Sequence, residues 1–92
     1  MILEWDDRKR NQTLEQRGLD FADIVHADWS MALTDEDTRV LYAEQRFVTM
    51  APIQNRLRVF AWCWRGQAMR IISLRNANDR ERKRYVEAIH RP

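Results

Sequence analysis

Hydrophobic and polar positions divide the 92-residue chain into short periodic stretches, and each stretch predicts one element. Residues 2–5 (Ile-Leu-Glu-Trp) suit a short strand. Asp6 is a good N-cap, Asp7 suits a first helical turn, and Gly18 suits the left-handed residue that closes a helix ending near Arg17. Leu14 is the only large aliphatic residue of that helix, so it must lie in solvent or against something polar. Asp20 caps a second predicted helix, in which Phe21, Ile24, Val25, Asp28 and Trp29 follow the i, i+3, i+4, i+7, i+8 spacing, with the Phe/Ile/Val stripe facing the core.

The second half alternates with the period of strands. Residues 31–34 predict a short strand and 35–39 an acidic turn; residues 45–51 predict a strand stopped by Pro52. Residues 57–64 (LRVFAWCW) and 69–75 (MRIISLR) predict two strands joined around Arg65-Gly-Gln-Ala68. From Asn78 to about Ile89 the pattern is helical, with Glu81 three residues after Asn78 in a capping-box arrangement. The order is β-α-α-β-β-β-β-α: an α+β domain with a small antiparallel sheet, two N-terminal helices on one face and a C-terminal helix, over residues 1–92 as a single domain.

A tight hairpin predicts that Trp64 faces Met69, Trp62 faces Ile71, Phe60 faces Ser73 and Arg58 faces Arg75, all on one side of the sheet. The other side carries Leu57, Val59, Ala61, Cys63, Ile72 and Leu74, which suits the Phe21/Ile24/Val25 helix. The aromatic side is then either a second small core or an open binding face, where rings stack on bases and arginines hold phosphates.

Composition narrows the function. With 16 basic and 14 acidic residues the formal net charge is only +2, so charge placement matters more than its sum. The single cysteine, Cys63, forms no internal disulfide and reads as a small core hydrophobe. The N-terminal MILEWDDRKR lacks the apolar core of a signal peptide and no apolar run has membrane-spanning length, which predicts a cytoplasmic protein without membrane contact. One cysteine and two histidines do not make a typical zinc set, and two glycines make no phosphate-cradling loop. No cofactor is called for; an enzyme here would use basic and polar side chains on an anionic substrate. The arginine run at 80–84 reads by itself as a solvated helix face, but Arg75 and Arg80 bracket one strand-to-helix corner.

Several of these residues recur in one known pattern: Trp5-Asp6-Asp7 and Lys9, Gly18-Leu-Asp-Phe21, Asp37-Thr-Arg39, Tyr42, Glu44, Arg46-Phe47 and Arg65-Gly66, then Arg70-Ile-Ile-Ser73, Arg75, Ala77, Arg80-Glu81-Arg82 and Arg84-Tyr85. In order and spacing the chain resembles the BrnT-type toxins of bacterial type II toxin–antitoxin pairs. The resemblance implies a RelE/ParE-like fold and a ribonuclease that slows growth by cutting RNA. It also implies a BrnA-type ribbon-helix-helix antitoxin as partner, with operator DNA reached only through that antitoxin. A metal-independent ribonuclease needs a base for the ribose 2′-hydroxyl, cations for the phosphorane and an acid for the leaving oxygen. On this reading Arg65, Arg75 and Arg80 stabilise charge, Lys9 assists binding, and Glu44 or a perturbed Lys9 is the base. Arg17, Arg46, Arg58, Trp62, Ser73 and Arg82 are the candidate RNA contacts. The chain departs from the family pattern where Gln16-Arg17 replaces Lys-His, at Thr13 in place of Asn, at Trp62 in place of Tyr, and at Pro52 beside a usual glycine. The competing readings are a weakly active homologue that serves as the antitoxin's partner, and a small nucleic-acid-binding module.

Overall fold

A computed structural model describes residues 1–90. Five strands form one sheet: β1 (Leu3–Trp5), β2 (Leu33–Glu36), β3 (Arg46–Ile53), β4 (Arg56–Arg65) and β5 (Ala68–Asn76), in the spatial order β1-β5-β4-β3-β2. Helix α1 (Asp7–Arg17) follows β1, two 3₁₀ segments (Phe21–His26 and Trp29–Met31) lead into β2, and helix α2 (Asp79–Ile89) follows β5. The α+β class and the five strands agree with the sequence pattern. Among the described residues, no helix is long and apolar enough to cross a membrane.

Four local expectations need correction. The sheet is mixed rather than antiparallel, because β1 pairs in parallel with β5 through Leu3–Met69, Glu4–Arg70 and Trp5–Ile71. The second N-terminal helix is a 3₁₀ segment, whose three-residue turn stacks Phe21 directly over Ile24. Both are fully buried, whereas Val25, which an α-helix would also bury, is 54% exposed. Asp35 and Glu36 belong to strand β2, not to a turn, so the connector to β3 starts at Asp37. Strand β3 also runs through Pro52 to Ile53. Ile53 and Arg56 flank the two-residue turn Gln54-Asn55, in which both φ angles are positive (51° and 68°), so their pair is a hydrogen-bonded one. By alternation the Pro52–Leu57 pair is not, and the proline nitrogen points away from β4 toward an edge that β2 no longer covers.

The hairpin register decides the architecture. Trp64–Met69 and Trp62–Ile71 pair as expected, but a bulge between Ala61 and Trp62 inserts one extra residue in β5. Beyond it Phe60 pairs with Leu74, Ala61 with Ser73, Val59 with Arg75 and Arg58 with Asn76. A one-residue slip moves every later side chain of β5 to the other face. Leu74 therefore joins Phe60 and Trp62, while Ser73 and Arg75 move to the side of Val59 and Ala61. The aromatic face is the core: Phe60, Trp62, Ile71, Leu74, Ala51 and Ile53 pack beneath Leu19, Phe21 and Ile24. Each fully buried Phe or Ile there contributes about 1.5–3 kcal/mol of transfer free energy. The Phe21/Ile24 segment thus covers the aromatic face, not the smoother aliphatic one.

Helix α1 buries no residue, as its polar sequence requires. It is tied down by polar contacts, with Arg10 bonding Asp20 at 2.7 and 2.9 Å and Arg17 donating to the Leu74 carbonyl at 2.8 Å. That carbonyl lies on β5 beyond the end of β1, where the strand has lost its neighbour.

Candidate active-site groove

The second face of the sheet is only partly covered. Val48, Val59 and Ala61 form its floor; α2 stands on one side and the Asp35–Arg39 segment on the other. Two adjoining concavities of about 410 and 370 Å³ share Asp35, Val48, Val59 and Glu81 and make one open groove. Ser73 and Arg75 rise into it from β5, on the face to which the bulge has turned them.

Helix α2 is positioned by its first turn and by one buried residue, Tyr85. The Asn78 side chain accepts from the Glu81 amide at 2.8 Å, and Glu81 accepts from the Asn78 amide at 3.0 Å, completing the capping box. Tyr85 donates its hydroxyl to the Met31 carbonyl at 2.7 Å, pinning the helix to the chain before β2. Burial is the main reason the Tyr85 hydroxyl titrates above its usual range.

Glu81 does more than cap. Arg75 donates to both of its oxygens, at 2.7 and 2.9 Å, in a bidentate pair linking β5 to α2. Those bonds, opposed by partial burial and aided by the Asn78 amide, hold the Glu81 carboxyl down at about 2. Arg75 is correspondingly raised. Across the groove Arg39 makes a similar fork onto Asp37, at 2.9 and 3.1 Å, and Tyr42 donates to the same carboxylate at 3.2 Å. The Asp37 carboxyl is likewise held at about 2, chiefly by the Arg39 bonds. On the adjoining ridge Arg46 bonds Glu44 at 3.2 Å and lies 4.0 Å from the Tyr42 ring centre. The groove thus presents two arginines whose guanidinium groups are oriented by carboxylates that stay ionised throughout the neutral range. Such groups suit charge stabilisation; carboxylates this acidic are weak proton acceptors. Among the described residues, no three His, Cys, Asp or Glu side chains converge as metal ligands.

The candidate residues named from the sequence fall into separate places. Arg75 and Ser73 lie in the groove, with Glu44 and Arg46 beside it. Arg80 is exposed on the first turn of α2, while Arg82 turns to the Ala77 carbonyl at 2.8 Å and to Asp79. Lys9 and Arg17 belong to α1, beyond the other edge of β5. Arg65 pairs with Ala68 at the hairpin tip whereas Arg75 pairs with Val59, which sets them roughly 20 Å apart at ~3.3 Å per residue. Trp62 is 6% exposed, stacks on Phe47 and donates its indole N–H to Thr49 at 2.9 Å. Arg58 lies on the covered face opposite Asn76, not beside Arg75. The sequence reading did not pick out Asp37, Arg39, Tyr42 and Glu81 as site residues. Asp37-Thr-Arg39, Tyr42 and Glu81 all stand within the recurring pattern, and that was the available signal.

A family model described as the ribonuclease toxin BrnT of type II toxin–antitoxin systems matches residues 5–81. The chain belongs to the BrnT family. The match runs from the last residue of β1 to Glu81, so it spans the groove's connector, its floor and the Arg75–Glu81 pair. BrnT membership identifies a ribonuclease toxin of a type II system, with an antitoxin as its partner. No protein in a search of curated sequences matches the chain.

Proposed function

We propose that this BrnT-family chain is a metal-independent endoribonuclease that cuts RNA in the groove over Val59 and Ala61. The observation that carries the reading is the Arg75–Glu81 fork standing opposite the Arg39–Asp37 fork across one groove. RNA is cleaved when the ribose 2′-hydroxyl gives its proton to a base and its oxygen attacks the adjacent phosphorus, forming a new P–O bond as the bond to the 5′-oxygen breaks and that oxygen takes a proton from water. Arg75 and Arg39 meet the negative charge that builds on the non-bridging oxygens, and Ser73 donates to the same group. Glu81 and Asp37 hold the guanidinium groups in place. Of the two base candidates, Glu44 and Lys9, Glu44 is the nearer to the groove. Lys9, Arg17, Arg65 and Arg80 lie outside it and contact flanking RNA. The partner is a BrnA-type ribbon-helix-helix antitoxin that carries the pair to operator DNA, and the site of action is the cytoplasm.

The test is RNA cleavage and growth arrest on induction of the chain without its antitoxin. Arg75→Ala with Arg39→Ala is expected to lower cleavage by about 10²–10³-fold or more, the scale of a lost charge-stabilising donor. Unchanged cleavage by a folded double variant overturns the assignment. Arg65→Ala is expected to cost less, since Arg65 sits at the far end of the hairpin.

A second reading is supported by the same forks: Arg75 and Arg39 are already committed to carboxylates, as they would be in a homologue that binds antitoxin and cuts little. No growth effect from well-folded protein, together with retained antitoxin binding, selects that reading.

A further inference from the structure

The groove is not the most cationic concavity of the molecule. Around it stand Asp35, Glu36, Asp37, Glu81 and Glu87 against Arg39, Arg75 and Arg84, so its rim as a whole is acidic. Beyond the end of β5, where the chain turns into α2, lies a separate concavity of about 520 Å³ lined by Asn55, Arg56, Leu57, Asn76 and Arg82. Among the described residues, two cations and two side-chain amides line it and no carboxylate does.

The local backbone explains this collection. The tight turn at Gln54-Asn55 holds Asn55 at φ 68° and delivers Arg56 straight into β4. Asn76 ends β5 on the same face as Arg58. The Ala77 amide bonds back to the Leu57 carbonyl at 3.0 Å, closing the corner. Arg82 reaches back from α2 to the Ala77 carbonyl and Asp79. Next to this corner Arg58 buries its Nε–H with no acceptor among the described residues. Burial and the neighbouring Arg56 both disfavour its charge, and Asp23 offsets only part of that. A buried donor without an acceptor is costly, and more so when charged. Two like charges side by side repel, and an anion seated at the exposed one, Arg56, relieves that repulsion.

We infer that the corner formed by Asn55, Arg56, Asn76 and Arg82 is a second phosphate-binding subsite, which holds the backbone of the RNA strand whose scissile phosphate lies at Arg75. Its position fits one continuous strand. Arg75 pairs with Val59, and Leu57 lies two residues along β4 on the same face, ~7 Å away, about one phosphate-to-phosphate step of a nucleic-acid strand. A strand leaving the acidic groove past the end of β5 meets Arg82 and, turning over the end of the sheet, Arg56 and Asn76. This subsite would give RNA affinity that the groove's own rim does not supply. The inference rests on the chain acting on RNA, and it is read by binding rather than by cutting.

The experiment measures binding of a labelled single-stranded RNA by the full chain carrying Arg75→Ala, across a salt series. Adding Arg56→Glu, on an exposed side chain, is expected to weaken binding by at least several-fold and to reduce the salt slope by about one phosphate contact. Lys83→Glu makes the same charge change on the outer side of α2 and is expected to have a much smaller effect. Arg58→Gln is expected to weaken binding in the same direction as Arg56→Glu. Equal losses for Arg56→Glu and Lys83→Glu, or no loss from Arg56→Glu in a protein of native circular dichroism, overturn the subsite. Loss of antitoxin binding without loss of RNA binding also overturns it, and makes the corner a partner contact. RNA binding that depends on Arg56 without any cleavage by the unsubstituted chain would sink the nuclease reading and leave the subsite standing.

Discussion

The two faces of the sheet are built from the same three long strands, yet one is a packed core and the other a charged groove. On the covered face Phe60 and Trp62 meet Ile71, Leu74, Phe21 and Ile24, and even Thr49 is fully buried because its hydroxyl bonds both Trp62 and Thr34. On the open face Val48 and Ala61 stay half-exposed, and the structure above them is held by arginine–carboxylate forks and one buried tyrosine. The difference shows where stability and chemistry are placed. Apolar area holds the strands together, while the side free of that task keeps polar groups oriented and within reach of solvent.

This division can be broken from either side. The largest expected effect is in the core: Phe60→Ala should lower unfolding free energy by about 3–5 kcal/mol in urea titration. Ala61→Ser, one residue away on the open face, should change it by no more than ~0.5 kcal/mol. Comparable losses at the two positions would erase the distinction. Trp62→Phe should cost about 1–3 kcal/mol, through the lost indole donor and smaller ring, and leave the arginine forks intact. An effect of that variant on RNA cleavage larger than its effect on folding would return Trp62 to the site.

Glu81 sharpens the comparison through pH. Its carboxyl is lowered in the folded chain, so its contribution is complete above the range where an unfolded glutamate titrates, roughly pH 4.3, and is lost as pH falls toward about 2. Glu81→Gln should therefore be less stable than the parent at neutral pH, with the gap closing between about pH 5 and 2, as followed by acid unfolding. A gap that persists unchanged at the acid end would show that the Arg75 pair is not its cause. The smallest effect on stability is expected for Arg39→Ala, because Arg39 is 81% exposed: the thermal midpoint should hardly move while RNA cleavage falls. A large drop in the midpoint would make Arg39 a structural residue.

The legible parts of the chain were those whose physics is local. The cap at Asp6 and stop at Gly18, the Asn78/Glu81 capping box and the turn at Gln54-Asn55 each depend on a few neighbouring residues, and all are present. The Phe21/Ile24 stripe was legible as a core contact, but its 3₁₀ geometry was not, because six residues support either helix. Of the candidate residues, Arg75 and Ser73 lie in the groove with Glu44 beside it, whereas the expected surroundings of Arg75 differ. An unbroken hairpin register puts Arg58 opposite Arg75 and Trp62 on the same face; the bulge at Ala61/Trp62 instead turns Arg75 to the face opposite both.

By itself the sequence determined the order of the strands and of the two α-helices, the helix caps, the Gln54-Asn55 turn, most of the residues that are buried and the family to which the chain belongs. Only the tertiary structure decided which face those residues would cover. A single extra residue in β5 costs little in local energy, so no local pattern announces it. It is selected because it brings Leu74 under Phe21 with Phe60, and in doing so it turns Arg75 outward to Glu81.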